Sequence, residues 1–291
     1  MTELKFPQKW RETVDPFGLP YTRFSLTEVL GYPHAGNDVF YARGVVDGKE
    51  EKVFIKVNRQ AGADVRNEVE VLARLNHDNL PKIVDYDKEM TFRVSVALEG
   101  ERLSSILGDN EGLQSMAYMQ EYGRTLAELH LSKGEFASVK DRRFFHVPTK
   151  EQFEKLGIDL SVREFLLTNV PERVNECFCH GDFHYANVLW KDGKLSGILD
   201  FELSGWGNRE FDIAWAIIRR PGQSFLTEEV EIDAFLRGYR TLNECNERYV
   251  RYYMVQIYCW FTANGDEEYC EFVKKKIARY MGEYKQQKAL A

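Results

Sequence analysis

Cys179-His-Gly-Asp-Phe-His-Tyr-Ala-Asn-Val-Leu-Trp190, followed shortly by Gly197-Ile-Leu-Asp-Phe-Glu202, is the stretch on which the reading of this chain turns. Asp182 and Asn187 lie five residues apart in a loop entered from one apolar run and left by another, and Asp200 ends a third. This pattern predicts that three oxygen-bearing side chains converge at one end of a small sheet. A hard cation such as Mg²⁺ wants such a set, a few oxygen ligands with positions left open for water and phosphate. On that chemistry Asp182 faces an acceptor hydroxyl, and Asn187 and Asp200 hold the metal.

HGDFHYAN together with LDFE resembles the paired signature of the aminoglycoside phosphotransferases and of the related choline, ethanolamine and fructosamine kinases. These are distant relatives of protein kinases, whose catalytic loop reads H-R-D-x-x-x-x-N. The resemblance extends over roughly residues 22 to 270, with its specific motifs concentrated in 180 to 215. It implies a two-lobed, protein-kinase-like α+β fold, with a small antiparallel-sheet N-lobe over 1–98, a hinge near 97–102 and a larger, mainly helical lobe over 103–291.

Outside the signature the same resemblance assigns further positions. Lys56 sits inside the apolar strand Phe54-Ile-Lys-Val57, and in kinases the lysine of this strand meets the α- and β-phosphates and a helix glutamate. Glu68, twelve residues on in a helical pattern, has the spacing of that glutamate, with Glu70 as its competitor. Gly31-Tyr-Pro-His-Ala-Gly36-Asn37 falls where a loop would cover the phosphates, and glycine lets backbone N–H groups approach them closely. Ala97, Leu98 and Glu99 occupy the hinge by position, where backbone groups would meet the purine edge. His180 and Asp212 are read as structural supports of the catalytic loop, and His184 as either structural or functional.

The periodicity agrees with this architecture. Phe24–Leu30, Asp38–Val46 and Lys52–Val57 read as strands, the last two joined at Asp47-Gly48, a pair suited to the positive φ of a tight hairpin. A helical pattern over 64–76 and two further strands, 83–87 and 91–98, complete the small lobe. Beyond Gly100 helical patterns dominate, with Met116, Met119, Tyr122, Leu126 and Leu129 as one apolar stripe. Extended chain returns only at 176–200, and helix resumes from 209.

Composition excludes several classes. Of 291 residues, 46 are acidic and 39 basic, a formal charge of −7 that disfavours a nucleic-acid partner. No apolar run is long enough to span a bilayer and the N-terminus has no signal-peptide pattern, so a cytoplasmic location without membrane contact is expected. Five cysteines, an odd number in a chain of this size, are expected to be reduced thiols. Cys177 and Cys179 read as core residues, because structural zinc asks for four ligands and no second Cys/His pair follows.

Twelve residues separate Asp200 from Asp212, which leaves no room for a protein kinase's activation segment. The acceptor is therefore expected to be a small-molecule hydroxyl, with ATP or GTP as co-substrate, Mg²⁺ as cofactor and no protein partner. Glu202 is an auxiliary metal ligand or an acceptor contact. Asp266, Glu267 and Glu268 would suit a cationic acceptor, and equally a solvated helix start. Residues 221–291 carry eleven acidic and ten basic side chains, so the region as a whole is not acidic. Tyr252, Tyr253, Tyr258, Trp260 and Phe261 offer rings for a quaternary ammonium, or core packing. Choline kinases remain an alternative, although their loop usually reads HND. A catalytically silent nucleotide-binding protein is the alternative of another class.

Overall fold

The computed structural model describes residues 14–33, 37–59, 62–172, 174–262 and 265–290. The chain divides into two compact units, Met1–Gly100 with Ser196–Ser204, and Glu101–Leu195 with Gly205–Ala291.

The first unit is built on strands β1 (Phe24–Gly31), β2 (Asp38–Val46), β3 (Lys49–Val57), β4 (Ile83–Tyr86) and β5 (Phe92–Val96), with helix α1 (Val65–Leu72) between β3 and β4. The sheet order is β1-β2-β3-β5-β4, antiparallel throughout. Asp47 and Gly48 turn the β2–β3 hairpin at φ 49° and 78°, the backbone such a turn requires. Strand alternation then sorts the faces. Val53, Ile55 and Val57 are buried with Phe40, Ala42, Phe92 and Val94, so Lys56 is left on the opposite face, paired in register with Arg93. Asp64 caps α1 by accepting from the Asn67 amide at 3.0 Å, which starts the helix one turn before Glu68.

Residues 196–204, which the sequence reading keeps with the helical lobe, group with the first unit. The reason is local hydrogen bonding. The Asn67 amide donates to the carbonyls of Phe201, Glu202 and Ser204, and the Ile198 amide donates to the Asn79 carbonyl at 2.8 Å.

The second unit holds α2 (Leu103–Leu107), α3 (Met116–His130), α4 (Lys150–Leu156), α5 (Leu160–Thr168), β6 (Glu176–Cys179), β7 (Val188–Lys191), β9 (Gly205–Asn208), α6 (Arg209–Ile217), α7 (Glu229–Tyr239), α8 (Glu247–Phe261) and α9 (Glu267–Leu290). The strand β8 (Lys194–Ile198), paired with β7, carries the chain across the unit boundary. Helices α3 and α7 cross through paired glycines, since a Cβ on Gly123 would strike the Phe235 carbonyl and one on Gly238 the Gln120 carbonyl. Strand β9 is a correction to the expected end of extended chain at residue 200. Gly-Trp-Gly-Asn has no strand signature, but its backbone pairs with β6, and Trp206 bonds Ala137 and Val139 at 2.7 and 2.8 Å. A Cβ on Gly205 would meet the Ala137 carbonyl, so the glycine that weakens the sequence signal is what lets the strands approach.

Candidate active site

Two groups of charged side chains stand out, one in each unit. In the first, Lys56 reaches three carboxylates, Glu68 Oε2 at 3.1 Å, Asp200 Oδ1 at 2.7 Å and Glu202 Oε2 at 2.9 Å. Arg93 holds the other oxygen of Glu68 at 2.7 Å, and the Phe201 amide donates to that same oxygen at 3.4 Å. The in-register Lys56 and Arg93 would repel each other across the sheet, and the completely buried Glu68 carboxylate resolves this by taking one cation on each oxygen. Burial would push the Lys56 ammonium toward neutrality, but Glu68, Asp200 and Glu202 outweigh it and hold its pKa above the ordinary lysine value. Burial would likewise raise the Glu68 carboxyl, and Arg93 and Lys56 instead hold it well below the usual range.

Asp200 adopts φ 67°, a left-handed conformation uncommon outside glycine, and its side chain is 41% exposed. It is the most open carboxylate of the group. Asn37 is buried, donating from Nδ2 to Glu202 Oε2 at 3.0 Å. Gly36 lies outside the described residues. At the end of the unit the Ala97 amide donates to the Lys52 carbonyl at 2.8 Å, so that N–H is not available to a purine edge. The Glu99 carbonyl accepts from Ser196 Oγ at 2.7 Å, and Leu98 lies half-buried between the two. Glu70 pairs with Arg74 instead of Lys56.

In the second unit the loop after β6 is held from beneath by Asp212. Asn208, not Asp212, caps α6 by accepting from the Phe211 amide at 3.0 Å. That frees the Asp212 carboxylate to accept from the His180 amide at 2.9 Å and the Gly181 amide at 3.1 Å. The buried His180 accepts at Nδ1 from the Asp182 amide at 3.2 Å. Asp182 Oδ1 accepts from Trp215 Nε1 at 2.8 Å and from Arg142 at 3.2 Å, while Oδ2 accepts from Asn187 Nδ2 at 3.3 Å and lies 3.6 Å from His184 Nε2. Burial would raise the Asp182 carboxyl, but His184, Arg142 and Arg220 hold it well below the ordinary aspartate range. Burial, and then Arg220, push His184 below the ordinary histidine value. Asn187 turns its amide nitrogen to Asp182, which leaves Oδ1 as its oxygen for a cation.

Among the acceptor candidates, Glu202 belongs to the Lys56 group. Trp260 donates from Nε1 to the His146 carbonyl at 2.9 Å, packing on the segment that carries Arg142. Asp266 accepts from the Tyr269 amide at 2.8 Å as a helix cap, and Glu267 and Glu268 are exposed on the first turn of α9. The rings of Tyr252, Tyr258 and Phe261 are buried.

Sequence reasoning missed Arg93, Arg142, Trp215, His130 and Arg220. Arg93 sits in a strand whose alternation marks it as facing Lys56, so pattern could have found it. Arg142 lies in Lys-Asp-Arg-Arg-Phe-Phe, a basic and aromatic run with no assigned role, and Trp215, three residues after Asp212, has none either. His130 meets Asp212 Oδ2 at 3.2 Å and the Tyr239 hydroxyl at 2.7 Å. Its ligand atom lies with those of Cys177 and Cys179 within 4.8 Å of one another, three donors where structural zinc takes four. The cysteines are free thiols.

Comparison with known proteins bears on this geometry. A profile of the phosphotransferase enzyme family matches residues 32–247. An aminoglycoside 3′-phosphotransferase of Enterococcus faecalis is 36% identical over 72 residues, 25% of this chain and 26% of that enzyme, so the match spans about a quarter of the relative's length. Among solved structures, the streptomycin–ATP–APH(2″)-IIa ternary complex superposes with a TM-score of 0.59 at 16% identity, over 82% of this chain and 85% of that one. A choline/ethanolamine kinase family protein from Mesorhizobium loti gives 0.54 at 15% identity, over 92% and 88%. Such identities show the fold, which is the protein-kinase-like α+β fold, and leave the substrate open. No helix among the described residues is long and apolar enough to cross a membrane.

Proposed function

Because the chain belongs to the phosphotransferase enzyme family, whose profile spans most of its length, we propose that it transfers the γ-phosphoryl group of ATP or GTP to a hydroxyl of a small molecule. The observation that carries this reading is the Asp182 loop. Asp212 fixes the His180 and Gly181 amides, and the ring of charges and donors around Asp182 keeps its carboxylate ionised.

Phosphoryl transfer asks mainly for positioning and for neutralisation of charge. An Asp182 carboxylate held strongly acidic is a poor base toward a ground-state alcohol. Its role is to accept a hydrogen bond from the acceptor hydroxyl, aim the oxygen, and take the proton late, once the new P–O bond has made it acidic. The first unit binds the nucleotide. Lys56, held cationic and oriented by Glu68, meets the α- and β-phosphates, and Ala97 to Glu99 lie where the purine would be met. Asn37 acts through Glu202, which it holds against Lys56.

The donor set suits Mg²⁺. Asp200 and the Asn187 Oδ1 offer hard oxygens, and the Lys56 group has three carboxylates against two cations. Asp200 in the first unit and Asn187 in the second are each proposed as ligands of Mg²⁺, which would supply charge neutralisation at the phosphates. ATP and GTP are cytoplasmic metabolites, and we place the activity in the cytoplasm.

The test is MgATP and MgGTP consumption across aminoglycosides, choline, ethanolamine, sugars and sugar acids, for the wild type and for Asp182→Asn. Acceptor-dependent turnover that vanishes in Asp182→Asn is the expected result. Turnover unchanged in that variant would overturn the role of Asp182.

A further inference from the structure

Two guanidinium groups stand at Asp182. Arg142 lays its guanidinium 4.3 Å from the Trp215 ring centroid and 5.4 Å from that of Phe145. It donates to Asp182 Oδ1 at 3.2 Å and to the Gly181 carbonyl, while its Nε is buried with no partner among the described residues. Arg220, itself buried, stands 4.9 Å from the same Trp215 ring and donates to the Trp215 carbonyl at 2.9 Å. The carboxylates beside them are Asp182 itself and Asp212, and Asp212 is committed to two amides and His130.

Several of the features a cationic acceptor would use are engaged elsewhere. Asp266 caps a helix, Glu202 serves Lys56, and Tyr252 and Tyr258 bond the Leu166 carbonyl and the Arg219 amide from within the core.

We propose that the acceptor is a hydroxyl compound that also bears an oxyanion, a carboxylate or a phosphate, and that Arg142 is the residue that reads it. The inference rests on the phosphotransferase reading above. A guanidinium presents several N–H groups in one plane, so it can turn a donor to an incoming carboxylate or phosphate while still stacked on Trp215. An ammonium brought to the same place meets two guanidinium charges, a repulsion that grows in a partly buried setting. An anionic acceptor must also approach the nucleotide's own phosphates, and cations beside Asp182 offset that repulsion.

Two matched series test this, glycerol, glycerate and serinol, and glucose, glucuronate and glucosamine, with glycerol phosphate added as the phosphate source. Binding is read from tryptophan fluorescence, to which Trp215 beneath Arg142 contributes, and turnover from MgATP consumption. The expected result is that the anionic member of each series binds about tenfold or more tighter than the neutral one, and the cationic member weakest. Arg142→Gln erases the preference and Arg142→Lys restores part of it. A neutral or cationic member bound tightest, no binding by any anion, or an anion preference that survives in Arg142→Gln would overturn the inference. Acceptor-dependent turnover that ignores charge sinks this inference and leaves the phosphotransferase reading standing. Charge-selective binding lost in Arg142→Gln, with no acceptor turned over, does the reverse.

Discussion

The Lys56 group of the first unit and the Asp182 group of the second both set carboxylates against cations, yet their balances differ. Around Lys56 and Arg93 stand Glu68, Asp200 and Glu202, one negative charge in excess. Around Asp182 stand Arg142 and Arg220, with the Asp212 carboxylate beneath the loop, so cations and carboxylates are equal in number. The first balance, negative, suits a group that must hold a divalent cation; the second, even, leaves Arg142 Nε without a partner among the described residues. Their constructions differ as well. Lys56, Glu68 and Arg93 are locked between two strands and one helix, whereas Arg142 comes from a long connection and is held by aromatic stacking and a carbonyl.

The largest expected effect separates the two groups kinetically. Asp182→Asn lowers kcat by about 10²- to 10⁴-fold and leaves nucleotide affinity, measured by direct titration, unchanged. Lys56→Met weakens nucleotide affinity as well as kcat. Equal effects of both on nucleotide affinity would erase the division of labour between the units.

Next in size is the stability of the first group. Glu68→Ala takes the carboxylate from the buried Arg93 and one of three from Lys56, and breaking a buried pair in this way costs roughly 3–5 kcal/mol, to be read from urea unfolding. The sign of its pH dependence follows from the depressed carboxyl of Glu68. Its stabilisation is fully present above the ordinary glutamate value of 4.5 and is lost as pH falls toward the lower folded value. Glu68→Gln therefore flattens the acid limb of the stability profile. An unchanged acid limb would show that Glu68 is not ionised in the folded protein.

Gly123→Ala probes the helical unit away from either charged group. Backbone opposes the new methyl, so the variant loses about 1–3 kcal/mol while the surviving folded fraction keeps its nucleotide affinity. A variant as stable as the wild type would mean that α3 and α7 part easily. The smallest effect belongs to Glu267→Gln with Glu268→Gln, exposed charges on the first turn of α9. No change in acceptor KM is expected, and a marked rise would return these residues to the acceptor site.

Legibility in the sequence followed the range of the interactions. Lys56 inside an apolar strand is a local pattern set by strand alternation, and Glu68 was legible through its spacing from Lys56 in the kinase resemblance. Arg93 was legible in principle, because β5 alternates as β3 does. Arg142 was not, since nothing within Lys140–His146 says that its guanidinium lies on Trp215, more than seventy residues on.

By itself the sequence determined the class of fold, the five strands and one helix of the first unit, and the loop of His180 to Asn187 between two strands. Those follow from periodicity and turn chemistry, which act over a few residues. Tertiary structure alone decided that residues 196–204 join the first unit, that Gly205–Asn208 forms a strand against β6, and that Asp212 leaves its own helix start to hold the catalytic loop. It alone decided that arginines, and not the carboxylates of α9, surround Asp182. The physical reason is that hydrogen bonds and stacking between distant segments are chosen by close approach in space, which residue spacing along the chain does not encode.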